Sequence, residues 1–78
     1  MKRVHIPRSP DPAWPERGTW TPAQHEGHAT ALLSCPGCGI VSKMYLHTID
    51  ADGTVNASIG CPKNCGYHEW GILDRWAA

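Results

Sequence analysis

Apolar and polar residues alternate most regularly between the two pairs of cysteines. In the run TVNASI, residues 54–59, every apolar side chain is followed or preceded by a polar one, which is the period of a half-buried strand. The apolar members are Val55, Ala57 and Ile59. The run KMYLHTI, residues 43–49, is also typical of a strand. Because Asp-Ala-Asp-Gly at 50–53 is a turn signal of the Asp-Gly kind, the pattern predicts a hairpin between the cysteine pairs.

Two further runs extend this predicted sheet. ATALLS, residues 29–34, is a short apolar segment that ends at Cys35. YHEWGIL, residues 67–73, predicts a last strand with Trp70 and Ile72 on one face. The sequence therefore predicts a small β domain with a three- or four-stranded antiparallel sheet, and it requires no helix.

The first 28 residues differ in composition from the rest. Five of the seven prolines lie there, and prolines at this density disfavour helices and central strands. We therefore expect an irregular Pro/Trp-rich N-terminal arm over 1–28 and a folded domain over 29–78. Trp14 and Trp20 are too large and apolar for a fully solvated tail, so they either fold back onto the domain or contact a partner.

The length of the chain limits how it can be stabilised. A chain of 78 residues forms one domain and buries little apolar surface, so an additional cross-link is expected. The start MKRVHIPRSP has no apolar segment behind its basic residues, and no apolar run is long enough to span a bilayer. We therefore expect a cytoplasmic protein, in which paired cysteines bind metal more often than they form disulfides.

The four cysteines have the spacing of a metal site. They occur as two short loops, Cys-x2-Cys and Cys-x3-Cys, separated by 22 residues: Cys35, Cys38, Cys61 and Cys65. Each loop begins Cys-Pro and ends Cys-Gly, and Gly39 and Gly66 permit the positive φ that turns the chain away from an ion. We expect one structural Zn2+ held by four thiolates. Iron in the same sulfur tetrahedron, two disulfides and free buried thiols are the alternatives.

His68 offers a second ligand set. Cys65-x2-His68 also has ligand spacing, and a site built from Cys35, Cys38, Cys65 and His68 would leave Cys61 free. We favour the four-cysteine site because Cys61-Pro62 mirrors Cys35-Pro36, and Cys65-Gly66 mirrors Cys38-Gly39. Four thiolates leave no open coordination position, so the ion would be structural.

Residues 29–76 resemble a known group of small metal proteins. CPGCG at 35–39 and DGTVNASIGCPKNCGYHEWGILDRW at 52–76 are similar to the zinc ribbons, and within them to small uncharacterised zinc-ribbon proteins of bacteriophages and prophages. The resemblance implies two zinc knuckles with the four cysteines as ligands, and a phage or bacterial setting. It implies no activity, and the Pro-rich start has no counterpart in it.

No other motif indicates catalysis. HEGH at 25–28 spaces its histidines by three positions in a Gly-bearing segment, whereas a zincin needs a spacing of four on a helix. Asp50 and Asp52 are ordinary turn residues. His47 and His68 are expected to be packed or exposed surface residues. We therefore expect that the protein is not an enzyme.

The distribution of charge decides between two kinds of partner. Residues 29–78 carry three basic and four acidic side chains, and four thiolates on one divalent ion would add further negative charge. A nucleic-acid surface needs clustered Lys and Arg, and residues 29–78 lack such a cluster. A nucleic-acid-binding or transcription-linked ribbon is therefore the alternative hypothesis and not the favoured one. We expect a monomeric protein-binding module whose contact surface includes Trp14, Trp20 and Trp76, because Trp is enriched at interface hot spots. Trp70 is the tryptophan that we expect in the core.

Overall fold

The computed structural model describes residues 3–56 and 58–77, and these residues form seven short strands. The strands are β1 (Val4–Ile6), β2 (Trp20–His25), β3 (His28–Ser34), β4 (Val41–Lys43), β5 (Ile59–Gly60), β6 (His68–Glu69) and β7 (Gly71–Leu73). Within the described residues no helix is long and apolar enough to cross a membrane. The expectation of a small all-β protein is confirmed.

The largest sheet is antiparallel and has the order β2-β3-β4. Its first two strands form a hairpin in which Trp20 pairs with Leu33 and His25 with His28. Glu26 and Gly27 make the two-residue turn with φ of 51° and 80°, the positive pair that a type I′ turn requires. The predicted three-stranded sheet therefore exists, and its central strand β3 contains the predicted run ATALLS, whereas β2 and most of β4 lie outside the runs that the sequence pattern indicated.

The prediction that residues 1–28 are irregular is wrong for β1 and β2. Pro22 lies inside β2, and this is tolerated because β2 is an edge strand, whose outward side needs no backbone donor. β1 ends directly before Pro7 and pairs in parallel with β7, with Val4 opposite Gly71. Met1 and Lys2 lie outside the described residues.

The predicted hairpin between the cysteine pairs is reduced to a single bridge between Ile49 and Val55. The turn before it forms, and the Gly53 amide donates to the Asp50 carbonyl at 2.9 Å. The Asn56 amide still donates across this hairpin to the Thr48 carbonyl at 2.9 Å, whereas the Val55 amide donates to the carbonyl of Gly71 at 3.1 Å. Val55 is fully buried, so its packing against β7 replaces the longer hairpin. Ala57 of the predicted strand lies outside the described residues.

The predicted last strand divides into β6 and β7 on either side of Trp70, because β6 pairs with β5 and β7 with β1. The face of this segment was also predicted wrongly. Gly71 and Leu73 are buried, whereas Trp70 and Ile72 are only half-buried. A Cβ at Gly71 would lie 2.9 Å from the Cδ1 atom of Ile59, so a larger residue there would require the end of this buried side chain to move.

A hydrophobic core joins the N-terminal segment to the rest of the chain. Its buried members are Ile6, Trp20, Ala31, Leu33, Met44, Val55, Ile59 and Leu73. The Trp20 indole donates to the Asp74 carbonyl at 3.0 Å, and its ring lies 5.4 Å from that of Trp76. Trp20 is 0% exposed, so its assignment to an exposed contact surface is wrong. The tryptophan that fills the core is Trp20.

Candidate metal centre

Each cysteine loop lies at the tip of an antiparallel strand pair. Cys35 directly follows β3, and the chain returns from the first loop into β4. Cys61 directly follows β5, and the chain returns from the second loop into β6. The sequence therefore places both cysteine pairs in turns, where a short loop can point two side chains at one point in space.

Backbone hydrogen bonds close the first loop. The Cys35 amide donates to the Ile40 carbonyl at 2.8 Å, and the Gly39 amide donates to the Cys35 carbonyl at 2.8 Å. Gly39 has φ of 81°, as expected from the sequence. The Ser34 hydroxyl also donates to the Gly39 carbonyl at 3.1 Å. These bonds fix the direction of both cysteine side chains of the loop.

The second loop is one residue longer and closes in a related way. The Cys61 amide donates to the Tyr67 carbonyl at 3.1 Å, and the Asn64 amide donates to the Cys61 carbonyl at 3.0 Å. Asn64 takes the left-handed conformation with φ of 55°, and Gly66 has φ of 105°. Asn tolerates that conformation better than most residues, so it accommodates the additional position of the Cys-x3-Cys loop.

The two loops bring all four sulfur atoms together. The Sγ atoms of Cys35 and Cys65 are 3.6 Å apart, as are those of Cys38 and Cys61. All four Sγ atoms lie within 4.8 Å of one another. A tetrahedron with Zn–S bonds of about 2.3 Å has sulfur–sulfur edges of roughly 3.8 Å, so the arrangement fits one ion. All four cysteines are free thiols, which excludes the disulfide alternative for this structure.

His68 does not join this group among the described residues. Its Nε2 atom lies 2.6 Å from the Ser58 hydroxyl, and the cluster that could hold a metal ion consists of the four cysteines. His68 is the first residue of β6, and its ring contacts Ser58 in the segment before β5.

Hydrogen bonds and proximity shift the thiol pKa values in opposite directions. A hydrogen bond from the Cys65 backbone amide is the main cause that lowers the pKa of the Cys61 thiol to about 6. The Tyr67 amide lowers the pKa of Cys65, but hydrogen bonding with Cys61 and burial outweigh it and raise this pKa to about 12. Thiolates this close repel one another, and a bound cation relieves that repulsion. The site therefore favours a cation.

No protein-family model matches the chain, and neither the curated proteins nor the solved structures contain a significant match to it. The structure shows a small β domain with four clustered cysteines that could hold a metal ion. This arrangement is typical of a structural metal-binding module.

Gly37, for which the sequence suggested no role, lies against the sulfur atoms. A Cβ at this position would be 2.9 Å from the Sγ atom of Cys65 and 3.6 Å from that of Cys35. The first distance is shorter than real Cβ contacts allow, so the loop admits only glycine without moving a sulfur. The sequence signal that could have indicated this close approach is the glycine between the two cysteines of Cys-Pro-Gly-Cys.

Arg17 braces the first loop from the N-terminal segment. Its Nε atom donates to the Pro36 carbonyl at 3.3 Å, and its Nη2 atom donates to the Gly37 carbonyl. The sequence could not indicate this contact, because the two partners are about twenty positions away in a segment expected to be irregular. The guanidinium brings a positive charge to a loop that carries two of the four sulfurs.

The remaining candidate residues lie apart from the cysteines. Trp14 is 59% exposed, whereas Trp76 is half-buried and packs against the core. His25 and His28 lie at the ends of β2 and β3, and His25 stacks on Tyr45 with ring centroids 4.6 Å apart. Tyr45 and Leu46, in the turn after β4, are 54% and 83% exposed. Sequence reasoning did not identify this exposed apolar pair.

Proposed function

We propose that the protein is a zinc-ribbon-like domain in which Cys35, Cys38, Cys61 and Cys65 hold one structural Zn2+. The observation that carries this proposal is the cluster of four Sγ atoms with two separations of 3.6 Å. Four thiolates complete a tetrahedral shell, so the ion has no open position for a substrate or a water. Its role is to hold the two loops together.

Zinc is the metal that we favour over iron. A sulfur tetrahedron accepts both, and the choice rests on the chain having no feature of an electron-transfer protein. The same reasoning supports a protein that is not an enzyme, since a closed metal site offers no Lewis-acid chemistry. We keep the phage or bacterial zinc-ribbon relationship, the cytoplasmic location and the monomeric state as parts of this proposal.

The metal proposal is tested on the intact protein by native mass spectrometry, with metal analysis and circular dichroism during titration with a chelator. The expected result is one zinc per chain and a loss of structure as the metal is removed, because metal binding contributes to folding. A metal-free chain that keeps its near-ultraviolet spectrum in excess chelator would overturn the structural role. One iron per chain would overturn the choice of metal.

We further propose that the domain binds a protein through the apolar surface after β4, formed by Tyr45 and Leu46. Large apolar side chains with this exposure are typical of contact surfaces when they adjoin one another. This surface replaces the one expected from the tryptophans, since Trp20 is buried. Trp14 remains an exposed aromatic candidate on the N-terminal segment.

The binding role is tested by capture of proteins from the native host with the wild-type domain and with Leu46→Asp. The matched control is Ala51→Asp, which places the same charge at an exposed position of the 50–53 turn. Partner capture should be lost only with Leu46→Asp. Equal capture by both variants would refute this surface, and salt-sensitive gel retardation of DNA or RNA would instead support the nucleic-acid alternative.

A further inference from the structure

The four sulfur atoms include two close pairs, and each pair joins one cysteine loop to the other. The Sγ atoms of Cys35 and Cys65 are 3.6 Å apart, and those of Cys38 and Cys61 are also 3.6 Å apart. The two pairs share no member, so together they use all four sulfurs. Because the S–S bond of a disulfide is about 2.05 Å long, the sulfurs of each pair need to approach by roughly 1.6 Å to form one.

Each close pair combines an exposed cysteine with a buried one. Cys38 and Cys65 are exposed, and both line an opening of about 440 Å3 at the surface of the metal centre. Cys35 and Cys61 border a separate opening beside β4, but they are only 4% and 8% exposed. A small reagent from solvent therefore meets each pair first at its exposed member, and the second sulfur of the pair lies 3.6 Å from that position.

The surroundings of the exposed cysteines favour oxidation of their sulfur atoms. Of the residues that the structure describes on the wall of this opening, Lys63 is the one with a charged side chain. Reactive cysteines typically lie in such partly exposed positions beside a positive charge, which stabilises the thiolate. Redox-sensitive cysteines also have a second, resolving cysteine close by. Both conditions are met here, because the exposed sulfurs of Cys38 and Cys65 each have a buried neighbour.

We infer that the metal centre is an oxidation site, at which a hydroperoxide converts the two close pairs into the disulfides Cys35–Cys65 and Cys38–Cys61 and thereby releases the metal. This inference rests on the proposed four-cysteine metal site and adds a regulation of that site. The disulfides join the same two loops that the metal joins, so the oxidised domain keeps its fold without an ion. Disulfides in a reducing compartment are usually transient and serve redox sensing.

Each disulfide forms in two steps that consume one molecule of hydrogen peroxide. The exposed thiolate attacks one peroxide oxygen, the O–O bond breaks, and hydroxide departs from the new sulfenic acid. The buried thiolate then attacks the sulfenic sulfur, so that the S–S bond forms, the S–O bond breaks and a second hydroxide leaves. The two sulfurs lose two electrons, which the two peroxide oxygens gain, and two protons from solvent convert the hydroxides to water. After both disulfides have formed, no thiolate remains to hold the ion.

The first test treats the purified, metal-loaded full chain with hydrogen peroxide and maps its disulfides by mass spectrometry. Trypsin cuts between the two cysteines of the second loop but not between those of the first. The inferred disulfides should therefore join three peptides, and fragmentation should assign Cys65 to Cys35 and Cys61 to Cys38. Disulfides within each loop would leave the peptide of the first loop unattached. That result, or the crossed pairs between the loops, would overturn the inference.

The matched control is the same chain oxidised without metal in denaturant. Closing a short loop costs less entropy than closing a long one, so the unfolded chain should mainly form disulfides within each cysteine loop. Pairing between the loops in the native protein then has to come from the folded arrangement of the sulfurs. Equal amounts of the interloop disulfides in the native and the denatured sample would show that the fold does not select them, which would contradict the inference.

A second measurement follows the metal and the structure during oxidation. A chromophoric chelator should detect one zinc released for every two molecules of hydrogen peroxide consumed. The near-ultraviolet circular dichroism of the oxidised, metal-free protein should stay close to that of the metal-loaded protein, and dithiothreitol in the presence of the chelator should then abolish it. Zinc retained in excess peroxide, or a spectrum lost on oxidation, would refute the inference. A protein purified without metal would instead refute the proposed metal site, so the two failures are distinguishable.

Discussion

The two cysteine loops contribute equally to the sulfur cluster, yet they are supported in different ways. The first is held from outside, because Arg17 donates to two of its carbonyls and the Ser34 hydroxyl donates to a third, that of Gly39. The second is held mainly by its own backbone, including the Asn64 amide and the Lys63 amide, which donates to the Cys61 sulfur at 3.4 Å. The two loops thus position their sulfur atoms alike, although residues outside the loop support the first and the loop's own backbone supports the second.

This difference shows how the N-terminal segment takes part in the metal centre. The Gly18 amide donates to the Ser34 carbonyl at 3.0 Å, directly before Cys35, and Arg17 contacts the loop that follows. The first loop therefore depends on residues outside itself, whereas the second depends on a turn conformation. The comparison predicts which substitutions affect the ion through each loop.

The largest effect is expected from removing a sulfur atom. Cys61→Ser should abolish stoichiometric zinc binding and unfold both loops, because a structural site that loses one thiolate no longer completes its shell. His68→Ala should keep one zinc per chain, since His68 bonds to Ser58. Native mass spectrometry of both variants checks this. Zinc retained by Cys61→Ser and lost by His68→Ala would show that the histidine is the fourth ligand.

The next largest effect is expected at Gly37 in the first loop. Gly37→Ala forces a methyl group against the Cys65 sulfur, and overpacking of this kind costs roughly 2 kcal/mol, about thirtyfold in zinc affinity. Gly60→Ala is the control, because its Cβ would meet the His68 side chain at an ordinary 3.7 Å. Competition with a chromophoric chelator measures both affinities. Equal affinities would mean that the loop has room for the methyl group.

A smaller effect is expected from Arg17. Arg17→Gln removes the hydrogen bonds to Pro36 and Gly37, and loss of such outer contacts weakens metal affinity by roughly tenfold. Arg17→Lys keeps the charge but not the planar pair of donors, so it should restore only part of the affinity. Arg75→Gln removes a positive charge outside both loops and should change little. Competition with a chelator measures the zinc affinity of the three variants. Equal affinities of Arg17→Gln and Arg75→Gln would contradict a role of Arg17 in supporting the first loop.

The smallest effect concerns the second loop. Asn64→Ala should destabilise the zinc-bound domain by about 1 kcal/mol, because alanine adopts a positive φ less readily than asparagine. Asn64→Gly should be neutral or slightly stabilising, since glycine has no Cβ to oppose that φ. Chemical denaturation of both proteins in excess zinc gives the free energies of unfolding. The same loss in both variants would show that the asparagine side chain matters more than the conformation.

The cysteine loops could be predicted from the sequence because their signals are local. Cys-Pro starts and Cys-Gly ends lie within a few residues of one another, and the positive φ of Gly39 and Gly66 follows from the turn alone. The type of metal site needs no knowledge of the rest of the fold. For that reason the cluster of four sulfurs agrees with the prediction although several of the surrounding strands do not.

The strands outside β3 could not be predicted fully because tertiary contacts decide them. Pro22 argued against a strand, and only the edge position of β2 makes it acceptable. Val55 alternates as a hairpin residue should, but burial against β7 diverts its backbone pairing. Trp20 is a surface candidate by residue type and a core residue by position. Arg17 acquires its role only when the N-terminal segment packs beside the first loop.

X-ray absorption at the metal edge of the purified protein tests the central claim most directly, because it counts and identifies the donor atoms. We expect zinc with four sulfur neighbours at about 2.3 Å and no nitrogen bound to it. Three sulfurs with one nitrogen, or a protein purified without any metal, would contradict it.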